Sequence, residues 1–276
     1  MIHTLLNMFS YTFMVRALVV GILISLCSAL LGVSLVLKRY SMIGDGLSHV
    51  GFGSLAIATA LGLSPLKITV PVVIIAAVLL LRLSEKSKFK GDSAIGIISV
   101  TAMALGVLCV SVTTGLNTDL YSYLFGSILA MTKDDVSLSV VLSLAVILLY
   151  VIFYNRIFAV TFDEDFAKST GTSVSLYNTL IAVLTAITIV LGMRMMGSLI
   201  ISALIIFPAV TAMRLCKSYK SVTLCSAGLS VICFITGIIV SFLYDLPTGA
   251  SIVTVNALML IVFMAIEKIK NRLKKQ

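Results

Sequence analysis

The sequence predicts an all-α protein, a polytopic membrane bundle of about eight or nine transmembrane helices, on three observations. Of its 276 residues, 60% are hydrophobic and 11% charged, whereas a soluble domain averages about 45–50% apolar and about 25% charged. A spanning helix needs about 20 mostly apolar residues, so this composition supplies eight or nine and leaves no room for an extramembrane domain of ordinary size. The apolar runs are also continuous, as in ITVPVVIIAAVLLL (68–81) and VSLSVVLSLAVILLYVIF (136–153). A membrane β-barrel would show segments of about 10 residues that alternate in hydrophobicity. The whole chain, 1–276, therefore reads as a single transmembrane domain.

The first span is expected over 15–37. Its apolar run from Ala17 to Leu37 is closed by Lys38 and Arg39 and carries no small-residue cleavage site, so it reads as a span and not as a signal peptide. The first twelve residues of the chain suit the membrane interface. The second span, 44–63, contains Asp45 and His49. The third, 68–83, runs into Arg82, Lys86, Lys88 and Lys90, and the fourth covers 94–114. Leu120 to Met131 is apolar but too short to cross, which predicts a re-entrant or interfacial helix. Five more spans follow at 136–154, 174–193, 197–214, 222–243 and 249–266.

Twenty basic residues against 11 acidic give a net charge of +9. In a membrane protein that surplus reports cytoplasmic loops first. With nine spans, Lys38/Arg39, the 82–90 cluster, Arg156/Lys168, Arg214/Lys217/Lys220 and the tail from Lys268 to Lys275 all fall on one side, and the opposite loops hold only Lys67, Lys133 and Arg194. The C-terminus is then cytoplasmic. Basic residues confined to short loops, without interleaved aromatics, argue against nucleic-acid binding. The cysteines (27, 109, 216, 225 and 233) lie in or beside apolar runs without CxxC spacing, as free small hydrophobes.

Ten of the 11 acidic residues sit in loops or at span edges; Asp45 is the exception. His49 follows four residues later, so on a helix the carboxylate and imidazole share one face. The pair would sit roughly 9–15 Å into the membrane at 1.5 Å per residue. An ionisable group at that depth is a functional candidate by default. A carboxylate with an imidazole forms half a metal site suited to Zn²⁺ or Mn²⁺ more than to Ca²⁺ or Cu⁺; the alternative is that the two groups only pair with each other across a helix interface. Gly44, Gly46, Gly51 and Gly53 suit close helix packing under either reading. The second informative segment, TFDEDFAKSTGTSVSLYN (161–178), is the longest polar stretch between spans, broken by Phe166 and Ala167. It reads either as a solvated connector or as a cytoplasmic element that docks in a partner's groove, with Phe166 and Ala167 entering it. With no GxxxxGK[ST], no GxGxxG after a strand and no HExxH, neither nucleotide binding nor intramembrane proteolysis is indicated, and the chain reads as no enzyme.

Three ordered blocks, LLGVSLVLKRYSMIGDGLSHVGFG (30–53), NTDLYSYLFGSILAMTKDDV (117–136) and the run from DEDFAKSTG to FPAVTAMRL (163–215), resemble the permease subunit of metal-ion ABC importers, the family that takes up zinc, manganese or iron(II). The resemblance implies a type II-like importer permease in the plasma membrane of a prokaryote. It also implies a second copy of the chain, a cytoplasmic ATPase that hydrolyses the ATP, and an extracytoplasmic solute-binding protein that delivers the metal, with no permanently bound cofactor. The family's path-lining Asp and His match Asp45 and His49. Its ATPase-contacting loop matches 155–173, with the acidic-x-Ala-x-x-x-Gly pattern at Asp165, Ala167 and Gly171 and with Phe166 beside it. YLFGSILA is closer to the zinc branch, so zinc is the expected cargo, with manganese or iron(II) as alternatives. An ion-coupled secondary transporter, with Asp45 as a proton or sodium site, is the remaining reading, but no half-to-half repeat of broken spans supports it.

Overall fold

The computed structural model describes residues 11–86, 91–113 and 132–273. The stretch expected to be re-entrant (120–131), which includes the whole of YLFGSILA (123–130), and the first ten residues lie outside those residues.

Eleven helices are described: α1 (Thr12–Leu37), α2 (Ser41–Ala60), α3 (Pro65–Lys86), α4 (Gly91–Thr113), α5 (Lys133–Ile152), α6 (Tyr154–Phe162), α7 (Glu164–Ser169), α8 (Val174–Met196), α9 (Ser198–Leu215), α10 (Tyr219–Tyr244) and α11 (Thr248–Leu273). Nine of them correspond to the nine expected spans. Seven (α1, α3, α4, α5, α8, α10 and α11) are long and apolar enough to cross a membrane. The other two are α2, diluted by Asp45, His49 and its glycines, and α9, apolar over Ile200–Leu215.

α5 and α10 begin three residues before the apolar run, because their first turn is capped by Thr132 and Ser218. At α5 the Thr132 side chain accepts from the Asp135 amide while the Asp135 carboxylate accepts from the Thr132 amide, so two donors at the helix start are satisfied reciprocally.

α1 and α8 are the most enclosed spans, about two-thirds and three-fifths buried. α10 runs antiparallel beside α1: Ser230 donates to the Ser25 carbonyl, and the Ser34 and Tyr219 hydroxyls are 2.8 Å apart. α2 lies among α3, α4, α8 and α9. Its contact with α4 is backbone on backbone, since a Cβ on Gly53 would overlap the Ala102 carbonyl oxygen. Gly46 likewise faces Ile95 and Ser99, so small residues on α2 let the two axes approach.

Gly197 alone joins α8 to α9, at φ 90° and ψ 156°, a conformation essentially restricted to glycine. The two helices fold back on each other there, with Gly192 against Ile201.

The polar connector between the fifth and sixth spans is not an open loop. It forms α6 and α7, separated by extended Asp163, whose carboxylate accepts from the amides of Asp165 and Phe166. Asp163 thus caps α7. The N-cap of α8 is Ser173, which makes no side-chain cap.

Candidate metal path and coupling element

Asp45 and His49 lie one turn apart on α2, and the imidazole Nε2 is 3.7 Å from the carboxylate Oδ2. Ser202 of α9 donates to the other carboxylate oxygen, Oδ1, at 3.2 Å. The Asp45 side chain is 44% exposed and that of His49 18%, so the carboxylate faces open space while the ring is tucked beneath it. His49 Nδ1 is buried and has no hydrogen-bond partner among the described residues. Met193 of α8 packs against Gly51, two residues past His49.

The arrangement supplies one anionic oxygen, one imidazole nitrogen and a hydroxyl that orients the carboxylate. Among the described residues no three His, Cys, Asp or Glu side chains cluster as a closed cage. An open site of that kind holds a divalent cation only with water or with ligands from a second molecule, and so releases it readily, as a conducting pathway requires. The Asp45–His49 separation is also compatible with simple pairing, and His49 Nδ1 is buried without a partner under either reading. Ser202 was not legible as a site residue in the sequence, being one hydroxyl inside the apolar run of α9.

At the other candidate element, the expectation that Phe166 and Ala167 both enter a partner's groove divides. Phe166 is 62% exposed and Phe162 69%. Phe158 and Phe162, one turn apart on α6, have ring centroids 5.3 Å apart, and Phe166 stands on α7 beyond the extended break at Asp163. Ala167 is fully buried and packs inward on Val160 and Val174. Its role is therefore to seat α7 on its own chain. Asp165 is exposed on the first turn, and Gly171 ends the element at φ 79°, the left-handed value that glycine adopts without strain. Glu164 is tied to Lys38 and Asn178. Burial alone would raise its carboxyl, but these hydrogen bonds outweigh it and hold the group below its ordinary value.

At the opposite end of the bundle Arg194, at the close of α8, bonds Asp135, at the start of α5, at 3.2 Å, with both side chains largely enclosed. Of the two, the charge pattern of the sequence places Arg194 on the less basic side.

The family model described as "ABC 3 transport family" matches residues 10–267. The chain is 32% identical to the manganese transport system membrane protein MntC of Halalkalibacterium halodurans, over 90% of this chain and 85% of that protein. It is 31% identical to the high-affinity zinc uptake system membrane protein ZnuB of Haemophilus influenzae, over 89% of this chain and 94% of that one. The solved structure of PsaBC from Streptococcus pneumoniae in complex with Fab superposes with a TM-score of 0.86 at 29% identity, covering 95% of each chain. The chain belongs to the ABC 3 transport family, the permeases of metal-importing ABC systems that its motifs resemble, and is a membrane-spanning transport subunit, not an enzyme.

Proposed function

We propose that this chain forms the translocation path of an ATP-driven importer of a divalent transition metal, as a homodimer in a prokaryotic plasma membrane with its C-terminus cytoplasmic. The observation that carries the reading is the Asp45–His49 pair on a membrane-embedded helix, oriented by Ser202, with the carboxylate open. A charge left open at that depth is costly unless water, cargo or a partner meets it. A two-fold axis beside α2 would double the ligands, and two-fold pairs are the commonest assembly. The ATPase docks on 155–173 through the exposed Phe162 and Phe166 with Asp165 at the rim, and Ala167 and Gly171 shape the element from within. A metal-loaded solute-binding protein delivers cargo to the opposite face.

Manganese is the first cargo. The open carboxylate leaves room for water, and an oxygen-rich, high-coordination set suits Mn²⁺ better than a closed tetrahedral one. Zinc is the second, supported by the wording YLFGSILA and by the identity with the zinc uptake protein. Vesicles carrying the assembled transporter should take up manganese, and zinc less well, when ATP is present. Asp45→Ala and His49→Ala should each abolish uptake at near-normal expression, since neither shortens the span. Wild-type uptake by both variants would return the pair to an interface role.

A further inference from the structure

We infer that Lys38 is a positioning residue that carries displacement of the α6–α7 element into α2, and thereby into the Asp45–His49 pair. This inference rests on the transport reading above.

Lys38 is the C-cap of α1, and its side chain is only 5% exposed. Its ammonium has three protons, and the structure offers it three acceptors. These are the Val160 carbonyl of α6 at 3.0 Å, the Glu164 carboxylate of α7 at 2.6 Å and the Asn178 side-chain oxygen of α8 at 2.8 Å. Asn178 closes the set by donating to the same Glu164 oxygen at 3.1 Å. One enclosed cation thus joins four helices, including both short ones.

The link onward to α2 is stiff. The Arg39 amide bonds the Val36 carbonyl and the Tyr40 amide the Leu35 carbonyl, with Arg39 at φ 59°. This is the Schellman arrangement, a closed turn with few ways to flex. α2 starts at the next residue, Ser41, and Asp45 follows about 6 Å further along the axis at 1.5 Å per residue. The same ammonium holds the first turn of α8, whose far end packs Met193 on Gly51. α7, six residues long, cannot hold its own position. Its seat is Ala167 against Val160 and Val174, and its tether is Lys38. A partner that pulls α7 therefore pulls on the α1–α2 corner and on the foot of α8 together.

The test uses the complete complex of this chain with its ATPase in lipid nanodiscs. Amide hydrogen exchange over residues 41–49 is measured with and without ATP, and ATP-driven uptake is measured in vesicles. In the wild type, ATP should change exchange over 41–49. Lys38→Met keeps the aliphatic stem and removes the charge; it should retain the ATPase on purification, lose the ATP-dependent change, and lower uptake tenfold or more. Lys38→Arg should restore part of both. Because Lys38 acts through Glu164, Lys38→Met combined with Glu164→Gln should be no worse than Lys38→Met alone. An ATP response at 41–49 in Lys38→Met equal to that of the wild type would overturn the inference. So would loss of the ATPase from Lys38→Met, which would make Lys38 a mere support of the docking site, or a wild type without any response. The exchange measurement involves no metal, so an importer with a different cargo would leave it standing while the transport reading fails.

Discussion

Phe166 and Ala167 are neighbours in the sequence and opposites in the structure, so substituting each separates docking from folding. Phe166 is 62% exposed, so a partner that covers it removes that fraction of its surface from water. Full burial of a phenylalanine side chain stabilises by roughly 1.5–3 kcal/mol, and about six-tenths of that is roughly 1–2 kcal/mol. Phe166→Ala should therefore weaken ATPase binding about 5- to 30-fold, leaving the amides capped by Asp163 and the thermal stability of the isolated permease unchanged. Ala167→Asp acts differently. Ala167 has no exposure, and a carboxylate placed between Val160 and Val174 loses water without gaining a donor, at several kcal/mol. A helix of six residues cannot absorb that, so α7 should detach and amide protection over 164–172 should vanish even without the ATPase. Titration of each permease variant in detergent with purified ATPase measures the first effect, and hydrogen exchange the second. Unchanged affinity in Phe166→Ala would refute the aromatic docking surface. Intact protection in Ala167→Asp would refute the inward seat.

Gly53→Val should lower stability by about 1–3 kcal/mol or more through overpacking, because its branched Cβ meets the Ala102 carbonyl; Gly96→Ala on α4, with nothing within 4 Å, should not. Thermal unfolding in detergent compares the two. Asp135→Asn removes the carboxylate that Arg194 meets at 3.2 Å, a hydrogen bond between charged groups contributing about 1.5–3 kcal/mol, read as a lower denaturation midpoint. The Glu164 carboxyl is lowered in the fold, so the stabilisation it gives is present above its ordinary value of 4.5 and is lost as pH falls through the lowered value. Amide protection in α7 should therefore hold at neutral and mildly acidic pH and decline only below the ordinary carboxyl range.

The spans were legible because membrane crossing is a property of composition over about 20 residues, and composition is what a sequence displays. Their starts were not, because a polar first turn such as Lys133, Asp134 and Asp135 belongs to the helix by capping and not by hydropathy. Asp45 and His49 were visible because a charge within an apolar run is anomalous whatever surrounds it. Ser202 and Lys38 were not visible as functional residues. A serine in α9 matches many other hydroxyls in these helices, and Lys38 counted only as one more cytoplasmic charge. Their significance lies in contacts 157 and 126 residues away in the chain, which no local pattern encodes. The 155–173 segment stood out by its polarity, but the inward direction of Ala167 depends on where α6 and α8 come together.

The helix that carries the candidate ligands is also among those least suited to the membrane on its own. α2 falls outside the set that is apolar enough to span, yet twelve of its twenty residues are buried. It is stable at that depth because α3, α4, α8 and α9 replace lipid around it, with glycines letting α4 reach its backbone. A helix held by its neighbours follows them when they move. α8 is such a neighbour, anchored at its foot through Asn178 to Lys38 and Glu164 and touching Gly51 near its other end. α9 is another, and it supplies Ser202 to Asp45. Small shifts of α8 or α9 relative to α2 therefore change both the accessibility of the carboxylate and its hydrogen bonding. The polar content that makes α2 a candidate metal path thus also makes it responsive to events at the α6–α7 end of the bundle.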